Sequence, residues 1–277
     1  MSSIENAISG FQYKVAEKRL PIHQEDARNF AAAVMDYSPP GEFFDAIVDS
    51  MQYISKRQFN RDLQRAVPEG NALTSDNPYY AIVHHNPGSG IWVYRNLVDR
   101  GMKPAEKTIN RNSKEMGPLL ETDDIDMKKV ISIIPEGTHI FVPDDLSITG
   151  SQIADEILQL LPPKYFDTSV LLLYSSDYAD NVIKDVDPKI KVVRVGQDIK
   201  NFGDLDPKIF EFISGLNDHA NMARDGVTEE TQALFWTWYK IPDRIPNIFL
   251  GKGGLPILIR REDFQPPYEH DYSLLER

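Results

Sequence analysis

The sequence predicts an α/β fold in which a parallel sheet is flanked by helices, with an N-terminal helical cap and a C-terminal extension. Three observations predict it. Short apolar runs rich in β-branched and aromatic residues recur at 79–85, 139–142, 170–174 and 191–195. Helical periodicity occupies the spaces after them, and turns rich in Gly, Asn and Ser stand where a run hands over to a helix. Short strands alternating with helices make βαβ units, whose strands lie parallel and whose binding loops gather at the carboxyl ends of the strands.

Taken in order, residues 25–66 place Phe43, Phe44, Ile47, Val48, Met51 and Ile54 at helical spacing, and Pro39-Pro40-Gly41 breaks the stretch into two helices. Residues 68–78, rich in Gly, Asn, Asp and Pro, read as a connector. The run at 79–85 then stops at Asn86-Pro87-Gly88-Ser89-Gly90, and 92–99 looks helical. A strand at 139–142, a loop at 144–150 and a helix at 153–161 repeat that grammar. Further on come a strand at 170–174, a helix at 178–184, a strand at 191–195 and a helix at 209–216. Phe235, Trp236, Trp238 and Tyr239 form an aromatic cluster best read as core, because large aromatics are mainly buried. The expected divisions are a cap at 1–78, a sheet core at 79–203 and an extension at 204–277 packed on that core.

Composition narrows the chemistry. With 41% hydrophobic residues in 277, the chain has enough apolar content for a packed core and too much for a largely disordered protein. Its apolar runs are too short to span a bilayer and its start lacks a basic-then-apolar leader, so a cytoplasmic protein with no membrane partner is expected. Zero Cys removes disulfides, thiolate nucleophiles and thiolate-ligated metals, so any metal is held by oxygen or imidazole, which favours Mg2+. A net charge of -12 opposes nonspecific attraction to nucleic acid.

The informative segment is HIFVPDDLSITGSQIADEIL, residues 139–158, where an apolar strand delivers Asp144 and Asp145 and a small-residue turn opens a helix. Unpaired N–H groups at a helix start favour an anion, and Thr149, Gly150 and Ser151 stand there. Gly150 permits close backbone approach, while Ser147, Thr149 and Ser151 add hydroxyl donors. The two carboxylates would sit beside a sugar and accept bonds from its hydroxyls. Either half alone is ordinary turn or cap chemistry; the joined pattern is more specific. Upstream, His85, Asn86, Gly88, Ser89 and Gly90 form a second candidate nest for anionic oxygens. His84 and His85 are adjacent on a strand and so point to opposite faces.

The run Ile140-Phe141-Val142-Pro143-Asp144-Asp145-Leu146-Ser147-Ile148-Thr149-Gly150-Ser151 resembles the signature of type I phosphoribosyltransferases. The resemblance covers roughly 79–196. It implies a phosphoribosyltransferase-like fold and a loop holding the 5-phosphate and ribose hydroxyls of phosphoribosyl pyrophosphate (PRPP). By the same resemblance the loop at 85–90 takes pyrophosphate. A closing loop within 103–124 brings Lys107 and Arg111 to that pyrophosphate, and Tyr174 and Ser175 meet the acceptor. Mg2+ would act between substrate oxygens, with Asp144 and Asp145 reaching it through water or substrate.

Pro143, Ile148 and Gln152 depart from the signature, and Pro143 removes one backbone donor at what reads as a strand end. The variant is similar to a divergent bacterial, ComF-like branch associated with conflict and defence, which the segment Ile241-Pro242-Asp243-Arg244-Ile245-Pro246-Asn247 also fits. The expected function is therefore phosphoribosyl transfer to or from a nitrogen acceptor. The alternatives are a non-catalytic sensor of PRPP or nucleotide and a bacterial defence effector using the same pocket, either one able to act as a homodimer or through a partner protein.

Overall fold

The computed structural model describes residues 3–74, 78–83, 89–110, 134–158, 161, 167–219, 232–240, 245–251, 255–260 and 263–264. In chain order the elements are α1 (Ser3–Glu17), α2 (Gln24–Met35), α3 (Phe43–Ser50), β1 (Gln52–Ile54), α4 (Lys56–Leu73), β2 (Tyr79–Val83), α5 (Ser89–Asp99), β3 (Lys107–Asn110), β4 (His139–Ser147), α6 (Ser151–Glu156), β5 (Asp167–Ser175), α7 (Asp177–Val186), β6 (Lys191–Arg194), α8 (Pro207–His219) and β7 (Phe235–Thr237). Short 3-10 turns cover Phe202–Asp204 and Asn247–Phe249. Among the described residues no helix is long and apolar enough to cross a membrane.

The chain divides into two compact units, one made of Met1–Ser55 and Lys200–Pro266, the other spanning Lys56–Ile199. This differs from the expected boundaries at 78 and 203. Helix α4 continues through Pro68, which sequence reading took as the start of a connector. Pro68 is exposed, while Phe59, Asp62, Leu63, Ala66, Val67 and Gly70 keep a buried stripe running on both sides of it. That stripe outweighs the backbone bond the proline removes.

In the first unit, Phe11, Phe30, Phe43, Phe44, Trp236 and Phe249 form an aromatic core. The rings of Phe11 and Phe44 lie 5.1 Å apart and those of Phe30 and Phe249 5.5 Å. Each fully buried Phe contributes about 1.5–3 kcal/mol. The cluster at 235–239 is indeed core, since Phe235, Trp236 and Tyr239 are all fully buried. Strands β1 and β7 add a small parallel ladder, pairing Tyr53 with Trp236. Arg260 clasps α2, its Nε and Nη2 donating to Asp26 at 2.6 and 2.8 Å.

The Arg260 hydrogen bonds, against the opposing effect of burial, hold Asp26 below the usual carboxylate range. A depressed folded pKa stabilises the protein above the unfolded value and is lost as pH falls through the folded one. Because Arg260 is partly solvated, about 1–2 kcal/mol is the scale. Asp26→Asn should therefore destabilise at pH 7 by about that amount, and denaturant midpoints of the two proteins should converge below about pH 4. A gap unchanged at low pH would show that the clasp is not ionic.

The second unit is a five-stranded, all-parallel sheet in the order β3-β2-β4-β5-β6, flanked by helices as the sequence predicts. Tyr80, Ile82, Ile140, Val142, Val170 and Leu172 pack on one face with Ile153, Ile157 and Ile183. Alternate residues turn to the other face, where Tyr79 and Phe141 meet edge to face at 5.8 Å. There α5 packs on β4, and α4 packs on α5 and β5. Strand β3 lies inside the stretch read as a closing loop; its four residues are too few to announce a strand by alternation.

Candidate functional site

Strand β4 is longer than the sequence suggests, running to Ser147, so that Asp144 pairs with β5 and Asp145 lies within the strand rather than in a loop. Pro143 consequently lies inside a central strand. The β2 side of the ladder ends at Phe141, so the missing N–H forfeits no pairing there. Asp144 faces Leu172, Leu146 faces Tyr174 and Ser147 faces Ser175 in register.

Sheet order locates the crevice. From β2 the chain proceeds to β3 on one side, whereas β4, β5 and β6 follow one another on the other side. Open parallel sheets bind ligands outside the carboxyl ends of the strands where the order reverses, here between β2 and β4. Ser89, the first residue of α5, donates its hydroxyl to Asp144 Oδ1 at 2.9 Å and so joins the two strand ends. The same oxygen accepts the Asp145 N–H at 2.8 Å. Asp144 is nearly buried and Asp145 wholly so.

After Ser147 the chain turns through Ile148, Thr149 and Gly150, the last with φ of 70°, and enters α6 at Ser151. The Gly150 N–H donates to Ser147 Oγ at 3.2 Å, and the hydroxyls of Thr149 and Ser151 lie 2.8 Å apart. The next loop braces this one: Ser176 donates its N–H to Ser147 O at 3.1 Å and its hydroxyl to Ile148 O at 2.6 Å. Ser176 also caps α7 by accepting the Ala179 N–H. The expected helix at 153–161 is thus a short one that begins two residues earlier.

The structure therefore brings together Asp144, Asp145, Ser89, Gly90, Ser147, Thr149, Gly150 and Ser151 around the ends of β2 and β4. His85, Asn86, Gly88 and Arg111 lie outside the described residues. Lys107 is not at this end of the sheet. It opens β3 opposite Tyr80, three residues before that strand's carboxyl end, with its ammonium 5.6 Å from the Tyr80 ring. Tyr174 and Ser175 end β5 inside the core, fully buried. Tyr174 donates to Asp62 Oδ2 at 2.8 Å, and Ser175 Oγ donates to Asp180. Burial, then the charge of Asp62, pushes the Tyr174 phenol far above its usual range, so it stays protonated and donates to that carboxylate.

Sequence reading missed two charged residues. Asp62 sits fully buried on the inner stripe of α4, and a carboxylate on the apolar face of a helix was the available signal. Arg194, ending β6, donates to Ser175 O, Asp198 and Asp177, and lies 3.7 Å from Asp180. Burial works against its charge, but the three carboxylates outweigh that and raise its pKa. Nothing in the spacing of these acids pointed to a shared cation.

Among the described residues no group of three or more His, Asp or Glu could hold a metal ion by itself. Those residues do not form a dedicated metal cage. Mg2+ held mainly by substrate oxygens and water does fit, because that ion keeps several waters and takes only one or two carboxylates.

No protein-family model matches the chain, and no curated protein matches it in sequence. Solved structures that resemble it are phosphoribosyltransferases, among others. A hypoxanthine-guanine-xanthine phosphoribosyltransferase is 16% identical, covering 47% of this chain and 70% of that one with a TM-score of 0.30. Orotate phosphoribosyltransferase from Aeropyrum pernix is 17% identical over 51% of this chain and 72% of its own, with a TM-score of 0.33. A hypothetical protein from Neisseria gonorrhoeae with bound ppGpp is 16% identical over 58% and 94%, with a TM-score of 0.35. Likenesses this distant decide no function, which must come from the site.

Proposed function

We propose that the chain binds PRPP, or a nucleotide carrying ribose 5-phosphate, at the carboxyl ends of β2 and β4, and transfers phosphoribose to or from a nitrogen acceptor. The observation that carries this reading is the Ser89 to Asp144 hydrogen bond at the switch point of the sheet, which sets two acids beside the turn that ends at Gly150. Asp144 and Asp145 accept the ribose hydroxyls and oppose the positive charge that grows on the ring as the bond at C1 loosens. Ser147, Thr149, Gly150 and Ser151 take the 5-phosphate, and the loop before Ser89 takes pyrophosphate. Mg2+ carried by the substrate would offset the charge of the leaving pyrophosphate, with Asp144 and Asp145 holding its water. No protein nucleophile is required, since the site's work is to orient and to stabilise charge.

Binding without transfer, as in a sensor of PRPP or nucleotide, is the second reading; a defence effector of a bacterial ComF-like branch would use the same pocket for catalysis on an unusual acceptor. The position of Lys107 favours the sensor, because the cation expected to meet pyrophosphate stands at the other end of β3.

Calorimetry with PRPP and Mg2+ tests both readings. Wild type should bind, and Asp144→Asn combined with Asp145→Asn should weaken binding by about 10- to 100-fold, the scale of lost charge-assisted hydrogen bonds. Equal affinity in the double variant would remove the assigned roles. Pyrophosphate release across a panel of nitrogenous bases should occur only for the transferase.

A further inference from the structure

Helix α4 is unusually basic for a chain of net charge -12. It opens Lys56-Arg57-Gln58-Phe59-Asn60-Arg61-Asp62-Leu63-Gln64-Arg65. Arg57, Arg61 and Arg65 recur every fourth residue, so they share one stripe, and all three are exposed. Arg61 is wired into the sheet. Its Nη2 donates to Gln58 Oε1, Gln58 Nε2 donates to Asp62 Oδ2 at 2.8 Å, and that same oxygen accepts the Tyr174 hydroxyl at 2.8 Å. Arg65 Nη1 adds a contact to Asp62 Oδ1 at 3.3 Å. Three hydrogen bonds thus lead from a solvated guanidinium to the penultimate residue of β5.

The inner end of this chain is held hard. Asp62 and Tyr174 are fully buried. A Cβ at Gly196 would fall 2.4 Å from the Tyr174 ring, and Phe59 of α4 lies against the ring at 6.2 Å between centroids. A buried carboxylate is a costly way to fasten a helix, because apolar residues of similar volume often serve as well or better. What a satisfied polar network adds is fixed orientation. Here the group oriented at its outer end is a cation.

Two contrasts single out Arg61. Arg194, the cation at the end of β6, is engaged by Asp177, Asp180 and Asp198. Arg61 donates instead to a neutral amide oxygen. Lys107, meanwhile, stands at the amino end of β3. Strand β5 lies one position beyond β4, about 4.8 Å away. A sugar held between β2 and β4 therefore has the β5 end of the sheet on its far side.

We infer that Arg61 contacts an anionic group, a carboxylate or a phosphate, on the acceptor, and that Gln58, Asp62 and Tyr174 are the positioning residues that hold it there. This rests on the reading that the ribose sits at the β2 and β4 ends.

The test uses the full chain saturated with PRPP analogue and Mg2+, titrated with matched probes: uracil against uracil-6-carboxylate, and adenosine against adenosine 5′-monophosphate. Wild type should prefer the charged member of at least one pair by about tenfold or more, the carboxylate and phosphate arms showing which anion is taken. Arg61→Gln should abolish that preference while leaving the neutral probe and PRPP affinity unchanged, and Arg61→Lys should restore part of it. Tyr174→Phe should reduce the preference severalfold with PRPP affinity intact, whereas a merely structural role would weaken charged and neutral probes alike. No preference in wild type, or a preference that survives Arg61→Gln, would overturn the inference. Failure of wild type to bind PRPP at all would instead overturn the function on which it rests.

Discussion

Gly150→Ala should lower the melting temperature of the sheet unit by roughly 10 °C and abolish PRPP binding. Two independent effects add. At φ of 70° an L side chain pays about 1–2 kcal/mol of steric strain. Its Cβ would also fall 2.6 Å from the backbone oxygen of Ala179 on α7, so α7 or the turn must move, and overpacking of this kind costs about 1–3 kcal/mol. Together these are about 3 kcal/mol, and each kcal/mol shifts the midpoint by about 2–4 °C for a unit of this size. Gly137→Ala is the control, because Gly137 has φ of 78° with nothing within 4 Å of a built Cβ. It should show only the strain, about 1–2 kcal/mol, with binding intact. Scanning calorimetry reads both variants, and equal shifts would mean that the close approach to α7 is not felt.

Sequence reading places Gly150 in the turn that opens a helix, as the structure has it, but not the packing around that turn. Thr149-Gly150-Ser151 after an apolar run is local chemistry, and local chemistry is visible in a single sequence. Whether the carboxylates stand in a loop or in a strand is decided by the partner strand. Ser147 pairs with Ser175, 28 residues on, and that pairing draws Asp144 and Asp145 into β4. The four principal strands were legible for a related reason. Three of them, β2, β4 and β5, are buried on both faces and read as continuous apolar runs, while the half-buried edge strand β6 shows through its pair of β-branched valines.

What stayed hidden depends on contacts between distant residues. Strand β3 holds only Lys-Thr-Ile-Asn, a pattern without an apolar run, and exists because β2 offers it an edge. Lys107 looked like part of a mobile basic stretch for that reason, and pairing with Tyr80 fixes it at the amino end of β3. Pro68 concealed the continuation of α4, which moved the apparent boundary from 55 to 78. With that helix assigned to a cap, the carboxylate of Asp62 on its apolar face had no visible partner in the sheet, and Tyr174 looked available to an acceptor.

Asp62→Ala should be the other severe change, costing about 3 kcal/mol, while the pair Asp62→Leu and Tyr174→Phe should lie within about 1 kcal/mol of wild type. The asymmetry follows from what is left behind. Alanine at 62 strands the Tyr174 hydroxyl at zero exposure, removes the acceptor of Gln58 and Arg65, and opens a cavity. Removing the hydroxyl as well eliminates the orphan, and leucine refills the space. A double-mutant cycle by denaturant melts measures this coupling, and additive single changes would show that the 2.8 Å bond carries no energy. The decisive quantity is then function at restored stability. If the apolar pair folds as well as wild type yet no longer discriminates charged from neutral acceptors, the buried acid and phenol are kept for orienting Arg61 rather than for holding α4.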